Sequence, residues 1–337
     1  MTPLLEVAGL TVRLPVSGEM RTVLDEISFS IDPGEALALV GESGSGKSMT
    51  ARAIVRLLPR GAAIDGSVTY DGGDVYALRG GRLRSFRHKV SMVYQDPRAH
   101  TNPVRRIGDF MTETLRETMP RAEASRRAAE MLDEVGIDDS KRRLRQFPHE
   151  LSGGMLQRVM IATALLTNPR LILADEPTTA LDVTIQAEVM AIIDALRRQF
   201  GVALLFITHD LDLAAAVCDR TAVMYAGQIV ELQSASALHD NALHPYSAAL
   251  AAARPNIRAT EPRLAAIRGR PVSAFEAPDG CAFAPRCGYV EERCRAARPS
   301  MREFGADRAR CVRVEELRGS LQKGIHDATS HDSVRSV

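Results

Sequence analysis

The stretch "GESGSGKSM", Gly41 to Met49, follows the apolar run "EALALV" and leads into "SMTARAIVRLL", whose apolar residues recur at helical spacing. It matches G-x-x-x-x-G-K-[ST]. Gly41, Gly44 and Gly46 let backbone N–H groups converge on phosphate oxygens with no Cβ in the way, and the helix start behind them adds a positive dipole end. Lys47 then reaches the β and γ phosphates, and the Ser48 hydroxyl suits Mg²⁺. Glu42, Ser43, Ser45 and Met49 complete the candidate nucleotide-phosphate-binding set. The plain alternative, a glycine turn capping a helix, does not explain why a buried strand precedes it.

A second acidic element fits the same chemistry. In "LILADEP" four apolar positions lead to Asp175 and Glu176, which strand alternation would place on opposite sides of the tip. Asp175 suits the Mg²⁺ shell. Glu176 is then free to orient or deprotonate an attacking water. Alone, such a pair before Pro177 would be an ordinary surface turn.

Four of the chain's five cysteines lie close together, as Cys281-x5-Cys287-x6-Cys294-x16-Cys311. The opening "MTPLLEVAGL" lacks a basic segment, apolar core and small-residue cleavage site, so a cytoplasmic chain with reduced thiols is expected. Disulfides are then the poor reading. Four thiolates suit tetrahedral zinc or an iron–sulfur cluster, although C-x₂-C pairs are missing, and four unligated thiols stay open. The fifth, Cys218 in "LAAAVCDR", reads as a buried helix residue.

The elements that must position these residues follow from the apolar patterning. The 337 residues are 45% hydrophobic and 25% charged with a net charge of +1, which describes a globular protein with no basic field to collect a nucleic acid. No stretch reaches the roughly 18 apolar residues a spanning helix needs. "LLEVAGLTVRL" and "RTVLDEISFSI" alternate as half-buried strands around the turn-like "PVSGE", and "EALALV" reads as a buried strand. Residues 97–168 are mostly helical, with "ASRRAAEMLDEVG" closed by Gly136. "RLILADE", "ALLFITHD" and "TAVMYAGQIVEL" return as strands, interleaved with the helical "TIQAEVMAIIDALRRQF" and "LDLAAAVCD". This is α/β layering. Near "ARPNIRATEP" the texture changes to proline and arginine clusters.

From Leu4 to Ser236 the chain resembles the ATP-binding cassette family. The most specific mark is "LSGGM", Leu151 to Met155, followed by "LQRVMIATAL"; a glycine pair entering a helix is another anion cradle. The resemblance implies a P-loop cassette with a RecA-like core, an antiparallel β subdomain and a helical subdomain. It also implies that Ser152, Gly153, Gly154 and Met155 face the γ phosphate bound by a partner subunit. Gln95 in "VYQDP" would touch Mg²⁺ and water, Asp182 in "TALD" would bridge two cassettes, and His209 in "FITHD" would hold the γ phosphate. Leu14 stands where the family usually carries an aromatic for adenine, so Arg13 or apolar contact must serve. Met155 replaces a common glutamine, in a form associated with peptide-importer ATPases.

"LHPYSAALAAARP" and "GCAFAPRC" look like the C-terminal extension of dipeptide and oligopeptide importer ATPases. Several of these hold a [4Fe–4S] cluster on such cysteines, with Arg286, Arg293 and Arg295 here placed to offset thiolate charge. The implied organisation is a cassette over 1–236 with the helical insert 97–168, an extension over 237–320 and a disordered tail over 321–337. The implied activity is ATP hydrolysis with Mg²⁺, energising di- or oligopeptide import. The implied partners are a second ABC ATPase subunit, giving a heterodimer, two integral-membrane permease subunits and, indirectly, an extracytoplasmic substrate-binding protein. The chain would sit peripherally on the inner face of the membrane. Import of a nickel chelate, antibiotic or glycoside is the neighbouring alternative, and a soluble cassette acting on nucleic acid or ribosomes is the distant one.

Overall fold

A computed structural model describes residues 2–178, 183–253 and 267–321. Along the chain the strands are β1 (Leu5–Val16), β2 (Glu19–Ile31), β3 (Ala36–Val40), β4 (Ala63–Tyr70), β5 (Gly73–Asp74), β6 (Val90–Val93), β7 (Leu171–Asp175), β8 (Ala203–Thr208), β9 (Arg220–Tyr225), β10 (Gln228–Ser234), β11 (Arg302–Phe304) and β12 (Asp307–Ala309). The helices are α1 (Lys47–Ile54), α2 (Gly80–Lys89), α3 (Ile107–Met111), α4 (Arg121–Glu134), α5 (Ser140–Arg143), α6 (Gly153–Leu165), α7 (Val183–Phe200), α8 (Leu211–Val217), α9 (Pro245–Ala252), α10 (Glu292–Ala296) and α11 (Val314–Leu317). The chain divides into two compact units, one from 1–5, 31–36 and 69–207, the other from 6–30, 37–68 and 208–337.

In the first unit β6, β7 and β8 form a parallel sheet, with Val90 opposite Leu171 and Leu171 opposite Ala203. Every residue of β7 and β8 is buried. That is why both read as unbroken apolar runs, as strands covered on both faces must. The helical stretch supplies α3 to α6. Ala124, Ala128 and Leu132 form the buried stripe of α4, which packs on α6, and α4 closes where Gly136 takes a positive φ of 70°.

In the second unit β1 and β2 form a hairpin across Ser17 and Gly18, both at positive φ (51° and 86°), as a two-residue hairpin turn requires. β3 runs parallel to β9, and β9 turns back into β10 through Ala226 and Gly227 at φ 48° and 77°. "TAVMYAGQIVEL" is therefore two strands. The small β11–β12 hairpin extends this sheet beyond β10. α1 is shorter than its apolar spacing suggests, because Arg56 turns left-handed at φ 60° and Leu57 N–H folds back to the Arg52 carbonyl. Cys218 is buried at the end of α8.

A buried carboxylate ties α9 to β10. Glu231 has no solvent exposure, and it accepts from the Leu243 and His244 amides and from Gln233 Nε2, each at 2.8 Å. His244, also buried, caps α9 by accepting from the Tyr246 amide at 3.0 Å through Nδ1. Burial pushes Glu231 up from 4.5 to about 7 and His244 down from 6.5 to about 3. The two oppose each other. The Glu231 contribution is complete below pH 4.5 and lost as pH rises toward 7, whereas the His244 contribution is complete above pH 6.5 and lost as pH falls toward 3. His244→Asn keeps a cap acceptor but cannot titrate. Its melting temperature should therefore fall less between pH 6.5 and 4 than that of the parent, and parallel acid limbs in the two proteins would refute this assignment.

Candidate functional site

The phosphate loop lies in the second unit. Gly46 caps α1 at φ 106°, and Gly41 sits at φ 153°, where an added Cβ would lie 2.2 Å from the Met224 carbonyl oxygen. Only glycine lets β9 back the loop this closely. Lys47 is buried at the loop's centre, its Nζ donating to the Gly41 and Glu42 carbonyls at 2.8 and 3.1 Å. Ser43 and Gly44 are exposed, and Ser48 and Met49 are half-buried at the helix start. The Ser45 Oγ is buried with no hydrogen-bond partner among the described residues. An orphaned hydroxyl, a buried ammonium and a cradle that a Cβ would fill together suit a polyphosphate.

The acidic strand end lies in the first unit. Asp175 ends β7 and is buried, while Glu176 leaves the strand at a positive φ of 45° with its amide donating to the Ile207 carbonyl at 2.9 Å. A non-glycine residue in that region is strained, so simple strand alternation does not set the Glu176 direction. Gln95, just past β6, donates from Nε2 to Glu176 Oε2 at 3.3 Å. The structure thus brings these two residues together. They come adjacent because β6 and β7 pair in parallel and end at the same edge.

Also in the first unit, Ser152 caps α6, its Oγ accepting from the Met155 amide at 3.3 Å. Ser152 is exposed, Gly153 has open space where a Cβ would stand, and the 13-residue helix behind them points its positive end outward. His209 follows β8 and is exposed, in the second unit. Asp182 lies outside the described residues. Leu14 is half-buried, and the Arg13 guanidinium pairs with Asp65.

Cys281, Cys287, Cys294 and Cys311 line one cavity, together with Phe283, Tyr289 and Leu317. Backbone amides at Phe283, Ala284, Tyr289 and Arg313 hydrogen-bond the sulfurs of Cys281, Cys287 and Cys311, which favours thiolate. Burial dominates, however, raising the Cys281 thiol, pushing Cys287 up to about 12 and pushing Cys311 up to about 11. Among the described residues no group of three or more His, Cys, Asp or Glu is disposed to hold a metal ion, so the geometry does not support the expected cluster. Two of the three arginines do not serve the sulfurs as expected either: Arg286 forks onto Glu42, and Arg293 pairs with Glu291 and Glu316. No described helix is long and apolar enough to cross a membrane.

The sequence reading missed Tyr246 and Arg286 as neighbours of the loop. Tyr246 Oη accepts from the Glu42 amide at 2.9 Å, and Arg286 holds both Glu42 carboxylate oxygens, at 2.6 and 3.1 Å. Nothing local could have revealed contacts spanning more than 200 residues of chain.

Comparison with known proteins agrees with the geometry. Residues 24–179 match the ABC transporter family, and residues 230–294 match the oligopeptide/dipeptide transporter C-terminal region. The oligopeptide transport ATP-binding protein OppD of Escherichia coli K12 is 42% identical over 319 residues, covering 93% of this chain and 94% of that protein. Its namesake in Mycobacterium tuberculosis is 43% identical over 97% of this chain, which spans about half (54%) of that longer relative. Among solved structures, the dimeric post-hydrolysis state of the ATP-binding cassette MJ0796 bound to ADP and Pi superposes with a TM-score of 0.62 at 28% identity, covering 68% of this chain and 98% of that one. CbiO1 of Clostridium perfringens, part of an ABC transporter complex, gives 0.60 at 25% identity over 70% of this chain and 90% of its own. The fold is the α/β cassette that the loop and signature suggested, and the chain belongs to the ABC transporter family, among its oligopeptide-transport-type ATP-binding proteins.

Proposed function

We propose that this chain is the ATP-hydrolysing subunit of a di- or oligopeptide importer, bound peripherally to the cytoplasmic face of the membrane. The observation that carries this reading is a phosphate loop joined in one chain to a C-terminal region of the oligopeptide/dipeptide transporter type. Residues 1–236 serve as the cassette, 97–168 as its helical insert and 237–320 as the extension.

In this reading Gly41 to Met49 bind the nucleotide, and Lys47 neutralises charge on the transferring phosphoryl. Bound Mg²⁺, held by Ser48, Gln95 and Asp175, would supply further charge neutralisation. Glu176 accepts the proton of the attacking water, with Gln95 fixing its carboxylate, and His209 donates to the γ phosphate. Ser152 to Met155, at the open start of α6, serve the nucleotide of a second ATPase subunit, with Asp182 between the cassettes. Because ATP then binds the joined pair more tightly than the separate chain, it acts as a clamp that hydrolysis releases. Two permease subunits receive this motion, and an extracytoplasmic binding protein delivers the peptide.

The test is reconstitution with the second ATPase, both permeases and the binding protein in liposomes. Peptide-loaded binding protein should raise ATP turnover severalfold and fill the vesicles with peptide. A response to a different solute only would move the chain to another importer class, and no turnover in the assembled complex would overturn the reading.

The four cysteines are assigned to a thiolate-ligated [4Fe–4S] centre that staples the extension. Their lining of one cavity is the observation behind this reading, set against the absence, among the described residues, of any three such side chains disposed as a metal site. Anaerobic purification should yield about four iron and four sulfide per chain. One zinc per chain would reassign the centre, and the absence of both would leave four plain thiols.

A further inference from the structure

Glu42 is the first residue inside the phosphate loop, and its carbonyl accepts from Lys47 Nζ at 3.1 Å, so its carboxylate is carried on the same stretch of backbone that would receive a triphosphate. A bare anion there would repel the ligand. Arg286 covers it, with both η nitrogens on the two carboxylate oxygens and Nε donating to the Arg268 carbonyl at 2.7 Å. The Arg286 side chain is only 3% exposed. It lies over the rings of Tyr225 and Phe283 at 5.8 and 5.9 Å, which with Tyr246 form one aromatic cluster. Tyr246 meanwhile holds the Glu42 amide. One loop residue is thus gripped at side chain and backbone by the C-terminal segment, and the gripping arginine directly precedes Cys287.

We propose that Arg286 and Tyr246 are positioning residues of the nucleotide site, and that Arg286 sets ATP affinity by cancelling the Glu42 charge. The inference rests on the nucleotide reading above. The planar fork matters because a carboxylate held by two parallel bonds cannot swing into the loop. The prediction differs from a structural role, because removing Arg286 should harm affinity only while Glu42 keeps its charge.

The experiment titrates the full chain with ATP and ADP, with melting temperature followed in parallel. Arg286→Met should weaken ATP about tenfold and ADP less, since ADP carries less charge. Glu42→Gln combined with Arg286→Met should return ATP affinity to within about threefold of the parent. Should Arg286→Met not fold, Tyr246→Phe, which loses one oxygen and no ring, carries the test with a threefold or greater weakening. Parent-like ATP affinity in the folded single variant would overturn the proposal, as would a double variant as weak as Arg286→Met. Lys47→Ala separates the two readings: if it too binds ATP like the parent, the nucleotide site itself is misassigned.

Discussion

Glu176→Gln should lower ATP turnover by a factor of roughly 10² to 10⁴, the usual value of a positioned general base, while leaving ATP binding intact. The change is isosteric and keeps the backbone at its positive φ, so the fold should melt within a degree or two of the parent. The amide can still meet Gln95 across the 3.3 Å contact, by offering its oxygen. What it cannot do is accept a proton from water. If hydrolysis parts two subunits, as proposed, the variant should accumulate as an ATP-loaded pair, visible as a doubled mass on gel filtration with the companion subunit. Unimpaired turnover would remove Glu176 from the chemistry.

Lys47→Ala should reduce ATP affinity by two to three orders of magnitude. The ammonium is buried and donates to two loop carbonyls, so it is held where phosphate oxygens would replace or join them. Each charge-assisted hydrogen bond lost is worth about 1.5–3 kcal/mol, and two such bonds reach this range. Alanine suits a first helical turn, so stability should change little. Lys47→Arg should rescue poorly, because the planar fork does not fit a cavity shaped for a compact cation. Equilibrium dialysis with ATP measures both. Affinity of Lys47→Ala within threefold of the parent would contradict the role given to the loop.

How much of this was legible follows from where each constraint acts. Phosphate binding is done by backbone, so it demands glycines at fixed spacing, and Gly41, Gly44, Gly46 and Lys47 announce it in eight residues. Buried parallel strands must be apolar throughout, and β3, β7 and β8 were legible for that reason. The β9–β10 turn was not, because Ala226 adopts positive φ without the usual glycine or asparagine to mark it. Arg286 was misread by proximity. Its sequence neighbour Cys287 suggested a thiolate counter-charge, yet the 3₁₀ turn ends at Arg286 and Cys287 continues in extended backbone, and the guanidinium faces Glu42 instead. Such pairings leave no periodic trace, being set by the fold's closure and not by any local rule.

Several of the residues that shape the phosphate loop are made long after it. β9 backs Gly41, Gly227 donates to the Ser45 carbonyl at 2.9 Å, and Tyr246 and Arg286 hold Glu42. During translation the chain emerges N-terminus first. A growing polypeptide on the ribosome would therefore expose the glycine motif for some 180 to 240 residues of synthesis before these later residues could brace it. The loop's bracing is thus a property of chain that folds late, and a fragment ending before β9 should lack it.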